Sequence, residues 1–202
     1  MIRLYRARWS TNVERVTLAL GHKGLEAESV WIEYSDRSPV EQVSGQPLVP
    51  VVDFDGEVVH DSPRIIARLE ELYPEPPLYP RDPARRAELD VLVEWFQYVW
   101  KRPPNEIERI LGLPETDPHQ IAELAGLMND WLDFFERMLD GRDYLFGDEF
   151  SAADCIAYPF LKYAAGRDPE DDELFHRILD DYQSVQGRPR LAAWIGRVQQ
   201  LS

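Results

Sequence analysis

The 202-residue sequence predicts a two-part protein: a small α/β part with the order βαβαββα, then an all-α part. Three observations carry that expectation. Strand-like and helix-like periodicities alternate over roughly the first 75 residues. A Pro-rich stretch, "YPEPPLYPRDP", interrupts them at 73–83. Beyond it apolar residues recur at helical spacing with little strand signal. The expected boundaries are 1–77 for the first domain, 78–83 for a linker and 84–202 for the helical domain.

Ile2 to Tyr5 reads as a strand. Thr11 to Lys23 reads as an amphipathic helix, with Val13, Val16 and Leu20 inward, Glu14 and Arg15 opposite, and Gly24 closing it. Between them lies the polar turn Ser10-Thr11-Asn12. Ala27 to Glu33 alternates apolar and polar, as a half-buried strand does. A polar stretch from Tyr34 to Gln46 follows, in which Pro39 starts a short helix. Val49 to Val52 and Glu57 to Val59 flank Asp55-Gly56, a type I′ hairpin signal. Pro63 to Tyr73 is the last helix of this part.

In the second part, Ala84 to Leu111 carries Leu89, Leu92, Val93, Phe96, Val99 and Trp100 at helical spacing, with Pro103-Pro104 bending or breaking the helix. Pro114 and Pro118 punctuate a loop. Ile121 to Leu139 turns Leu124, Leu127, Met128, Trp131, Leu132 and Phe135 inward. Ala152 to Ala165, Phe175 to Val185 and Pro189 to Leu201 complete the helices. The acidic run "DPEDDE" at 168–173 reads as a solvated loop.

Composition narrows the function. The chain is 44% hydrophobic and 11% aromatic with six Trp, which suits a folded enzyme or binding protein over a disordered one. A net charge of −15 argues against nucleic acid and anionic membranes as partners. The single cysteine, Cys155, excludes an internal disulfide and a Cys-rich metal site; it reads as a buried core thiol. There is no signal-peptide pattern and no apolar run near the ~20 residues of a membrane helix. The expectation is a cytoplasmic protein.

Three short segments stand out as chemistry. Ser10 sits at a strand-to-helix turn, where it either caps the helix or acts on a ligand. Pro50 interrupts a strand, which places it at an edge, a bulge or a cis Val49-Pro50 bond. Asp61-Ser62 precedes a helix whose first turn tolerates Pro63, and that helix end suits an anion. Further on, Ser151 and Asp154 in "FSAAD" have the spacing of a capping box with Asp in place of Glu.

Taken in order, "LYRARWSTNVERVTLAL", "GQPLVPVV", "HDSPRIIARLEELYP", "LYPRDPARRAEL", "YLFGDEFSAADCIAYPFL" and "RPRLAAWIGRV" resemble the cytosolic glutathione transferases over nearly the whole chain. The "STN" turn is most similar to the serine-type phi, theta and delta kinds, in a bacterial-type member. The resemblance implies a thioredoxin-like domain followed by a helical one, and an enzyme that activates the glutathione thiol for attack on a small hydrophobic electrophile. Glutathione would be the co-substrate, with no metal. The implied catalytic residue is Ser10, with Tyr5 as its rival. The implied glutathione contacts are Val49, cis Pro50, Asp61 and Ser62. Leu48 stands where the family often has Gln or Lys, and Gln46, two residues back, is the substitute. The electrophile would lie against the helix from residue 84, near Trp95, Tyr98 and Arg102, which share one face at helical spacing. A twofold homodimer is implied as well. The alternative is a non-catalytic relative that kept the fold as a binding or regulatory module.

Ser10's role has a physical rationale. A free thiol has a pKa near ~8.5, and the thiolate is the nucleophile. A hydroxyl donor and a helix N-terminus both favour the charged sulfur. A shift of about two units needs ~2.7 kcal/mol, within reach of one charge-assisted hydrogen bond plus the helix end.

Overall fold

A computed structural model describes residues 1–201 of the chain. They form two compact units, Met1–Arg81 together with Leu201, and Asp82–Gln200.

The first unit runs β1 (Ile2–Arg6), α1 (Thr11–His22), β2 (Glu28–Trp31), α2 (Ser38–Ser44), β3 (Val51–Phe54), β4 (Glu57–His60) and α3 (Ser62–Leu72), the βαβαββα order expected. The sheet order is β2-β1-β3-β4. β1 and β2 are parallel, as a connection through α1 requires, and the other two pairs are antiparallel. Asp55 (φ 54°) and Gly56 (φ 101°) both lie at positive φ, as a type I′ turn demands. On one side of the sheet Tyr5, Ile32, Val40 and Val51 pack together, with Val30, Val43 and Val49 against them. α1 packs on α3, and Val16, Ile65, Ile66 and Leu69 are fully buried.

One reading of α1 needs correction. Arg15 does not face solvent: it is 0% exposed. Lys23, at the helix C-cap, is buried too, and its ammonium donates to Glu70 Oε2 at 2.7 Å and to the carbonyls of Tyr73 (2.6 Å) and Pro76 (2.9 Å). It therefore ties the end of α1 to the end of α3 and the Pro-rich stretch.

The second unit contains α4 (Pro83–Trp95), a π-helical turn (Phe96–Trp100), α5 (Arg102–Leu111), α6 (Pro118–Met138), α7 (Ala152–Leu161) with a 3₁₀ turn (Lys162–Ala165), α8 (Leu174–Asp181) and α9 (Pro189–Gln199). The break expected at Pro103-Pro104 falls just before them. Prolines disfavour helical backbone in the residue they follow and are tolerated in a first turn, so they begin α5. Pro118 likewise begins α6, capped by Asp117, whose carboxylate accepts from the His119 and Gln120 N–H groups. Leu127 is 44% exposed rather than inward.

The capping box at α7 exists, and its acid does more than cap. Asp154, wholly buried, accepts on Oδ2 from the Ser151 N–H and hydroxyl, both at 2.9 Å. On Oδ1 it accepts from the Leu145 N–H (3.0 Å) and the Trp194 indole (2.8 Å). One carboxylate thus joins the 145 loop, the start of α7 and α9. Burial pushes its pKa up, and these donors oppose the push. The 168–173 run is not solvated throughout: Asp171 is 1% exposed and accepts from the Tyr163 hydroxyl (3.0 Å) and His176 Nδ1 (2.8 Å). Cys155 is buried among the apolar residues of α7. No helix among the described residues is long and apolar enough to cross a membrane.

Candidate active site

Strand register brings three of the singled-out segments to one end of the sheet. β1 ends beside the start of β3, with Tyr5 opposite Val51. The start of β3 lies beside the end of β4, with Val51 opposite His60. The turn after β1 carries Ser10, the residues before β3 are Val49-Pro50, and the turn after β4 carries Asp61-Ser62. Two helix N-termini, of α1 and α3, open there, each with unsatisfied N–H groups and a partial positive charge. Antiparallel pairing of β3 between β1 and β4 makes this convergence unavoidable.

Ser10 is the N-cap of α1, and its hydroxyl oxygen accepts from the Val13 N–H at 3.3 Å. Capping and chemistry are not exclusive here. The cap bond uses a lone pair, and the hydroxyl proton stays available for donation. Trp9, just before it, sits at φ 61°, and Asp61 at φ 73°. Both are non-glycine residues at positive φ, a conformation that costs of order 1–3 kcal/mol each.

The Val49–Pro50 peptide is cis, and Glu75–Pro76 is a second cis bond that the sequence did not signal. Leu48 is 66% exposed. Gln46 closes a ring with it: Oε1 accepts from the Leu48 N–H at 2.7 Å, while Nε2 donates to the Leu48 carbonyl (2.9 Å) and Ser44 Oγ (3.0 Å). The amide is thus engaged in shaping the approach to Val49. Arg37 donates to the Pro47 carbonyl at 3.1 Å and stacks over Tyr34. Tyr5 is 7% exposed and belongs to the core on one side of the sheet.

Ser62 is the first residue of α3 and 2% exposed. Arg15 Nη1 donates to Ser62 Oγ and to Asn12 Oδ1, both at 3.3 Å. Sequence reasoning missed Arg15, because an arginine beside Glu14 on an amphipathic helix reads as surface, and nothing in the local pattern says otherwise.

The three residues expected on one face of the helix from 84 occupy different environments. The π-helical turn at 96–100 widens the spacing between them. Trp95 packs edge-on against Trp131 (centroids 5.5 Å apart) and against Phe134 and Phe135. Tyr98 is 68% exposed. Arg102 lines a cavity of about 640 Å³ in the helical unit, with Val99, Pro103, Leu124, Leu127 and Trp131 as its apolar walls and the Glu106–Arg109 ion pair at 2.7 Å beside it.

Fold and site together define a two-unit protein with two helix N-termini, suited to an anion, at one end of the sheet in its α/β half. The glutathione S-transferase N-terminal domain family model matches residues 4–77 and the C-terminal domain model residues 118–197. The chain belongs to the glutathione S-transferase family, and its architecture is a thioredoxin-like domain followed by an all-helical one. It is 31% identical to maleylacetoacetate isomerase of Pseudomonas aeruginosa over 206 residues, covering 95% of this chain and 91% of that protein. It is 30% identical to FtsZ-localized protein A of Caulobacter vibrioides over 159 residues, covering 73% and 70%. The crystal structure of a glutathione S-transferase from Rhodospirillum rubrum F11 is similar at TM-score 0.75 and 28% identity, covering 98% of this chain and 88% of that one.

Proposed function

We propose that the chain is a serine-type glutathione-dependent enzyme whose α/β half, residues 1–77, binds glutathione and whose Ser10 hydroxyl stabilises the thiolate for attack on a small hydrophobic electrophile. The observation that carries the reading is the Ser10 cap: its oxygen accepts from Val13 and its proton is left to donate to sulfur at a helix N-terminus. Tyr5, the rival, is packed into the core.

In this reading, Ser62 and the start of α3 hold the γ-glutamyl carboxylate, and Asp61 holds the α-amino group. The Val49 backbone, turned by cis Pro50, pairs with the cysteinyl unit. Gln46 contributes by fixing the Leu48–Val49 backbone. The electrophile side draws on the helical domain, residues 84–202, which the 78–83 linker joins to the first. Arg102 is the member of the expected trio that lines a cavity, where a carboxylate on the electrophile would be matched. Isomerisation, as the name of the Pseudomonas aeruginosa relative indicates for that protein, is one outcome of the same activated thiol. The protein works in the cytoplasm as a homodimer.

Calorimetry with glutathione, then conjugation assays, test this. Ser10→Ala should lower kcat/KM roughly 100-fold and move the pH profile toward the free thiol value of ~8.5. Ser10→Asp keeps an acceptor for the Val13 N–H and lacks the donor at neutral pH, so it should keep stability and lose activity. An unaffected Ser10→Ala rate removes Ser10 from the chemistry. Absence of glutathione binding at millimolar concentration favours the second reading, a non-catalytic binding or regulatory protein. Arg37 and Gln46, engaged with their own loop, are the observation on its side.

A further inference from the structure

We propose that Arg15 is a positioning residue for the anionic end of the bound tripeptide, fixing the Ser62 hydroxyl as a hydrogen-bond donor to the γ-glutamyl carboxylate. The inference rests on the glutathione reading above and names a residue outside the sequence motifs that support it.

The argument starts from donor polarity. A guanidinium has five N–H groups and no acceptor, and it stays protonated at any working pH. The 3.3 Å contact between Arg15 Nη1 and Ser62 Oγ therefore has one sense: Ser62 accepts. A serine that accepts from a buried cation must give its own proton elsewhere, and a hydroxyl polarised in this way donates more strongly. The partner it suits is an anion. Arg15 has no exposed surface, so it acts through Ser62 rather than by touching a ligand.

The same nitrogen also donates to Asn12 Oδ1, in the first turn of α1, two residues after Ser10. One planar group thus spans the turn expected to hold the sulfur and the residue expected to hold the carboxylate, and sets the spacing between them. It also supplies local positive potential in a chain of net charge −15, whose long-range field repels an anionic ligand. Lysine carries a compact, strongly hydrated charge on a flexible stem, so it holds this pair of acceptors less well in a buried site.

Calorimetry with two probes, glutathione and cysteinylglycine, tests this, since the second lacks the γ-glutamyl unit. Arg15→Met and Arg15→Lys should weaken glutathione binding about tenfold, ~1.4 kcal/mol, and leave cysteinylglycine unchanged. In a Ser62→Ala background the Arg15 substitution should add little further loss. Equal weakening of both probes, or fully additive losses, overturns the proposal and leaves Arg15 a core residue. Failure of the wild type to bind glutathione overturns the functional reading instead. If the Arg15 variants do not fold, the wild-type Arg15 guanidinium resonance serves. It should shift with glutathione, not with cysteinylglycine, and lose that response in Ser62→Ala; an unmoved resonance overturns the proposal.

Discussion

A hydroxyl that closes a helix with its lone pair and keeps its proton for another molecule can be structural and chemical at once. Ser10 closes α1 with its lone pair and Ser62 accepts from Arg15; under the proposed function each would give its proton to the bound ligand. The motif residues around them were legible because helix starts and strand prolines carry strong local signatures: Ser10, Pro50 and Asp61-Ser62 all sit where a backbone rule singles them out. Arg15 and Asp171 were not legible. Burial of a charge is decided by partners distant in sequence, and in both cases the neighbouring residues were polar. Asp61 at φ 73° gives a prediction at this scale. Asp61→Gly should raise stability by about 0.5–1 kcal/mol in urea titrations, since glycine takes that conformation without strain, while glutathione affinity falls. Glu108 gives another. Burial, then repulsion from Glu173, raises its pKa above 4.5. Its ionised form therefore costs the folded state more than the unfolded one, so its contribution is best below pH 4.5 and is lost as pH rises through the folded value. Glu108→Gln should stabilise by a few tenths of a kcal/mol at neutral pH, the group being largely solvent-screened, and by nothing at pH 4, as paired melting curves would show.

At the scale of elements, the strands and helices of the α/β half followed from periodicity and turn chemistry, because each is short and bounded by Gly, Pro or a polar cap. The helical half was less legible. Its helices were recognisable, but their starts shifted where proline opened a helix instead of ending one, at Pro103-Pro104 and Pro118. What joins the helices was hidden, since the capping box announced Asp154 as a local cap and gave no sign of Leu145 or Trp194. Four donors converge on that carboxylate. Asp154→Ala should therefore cost about 3–5 kcal/mol in denaturant unfolding, since it strands several buried donors at roughly 1–3 kcal/mol apiece with partial relaxation. Asp154→Asn should be nearly as damaging, because an amide NH₂ would confront donors.

For the molecule as a whole, 37 acidic against 22 basic side chains oppose non-specific association beyond the proposed dimer at neutral pH, and a sequence pI near 4.6 marks where that repulsion vanishes. Light scattering should show aggregation beyond the dimer rising sharply near pH 4.6 and reversing at pH 7. The two-domain plan was readable from sequence while the electrophile was not: composition and order specify architecture, and the pocket depends on where single side chains land. The wide turn at 96–100 shows how far such landings can drift. Relative to a helix without it, the turn behaves as one inserted residue. A comparison with relatives that lack it must open a one-residue gap between Phe96 and Trp100. Without that gap every correspondence downstream through α5 slips by one, and Arg102 is equated with its neighbour.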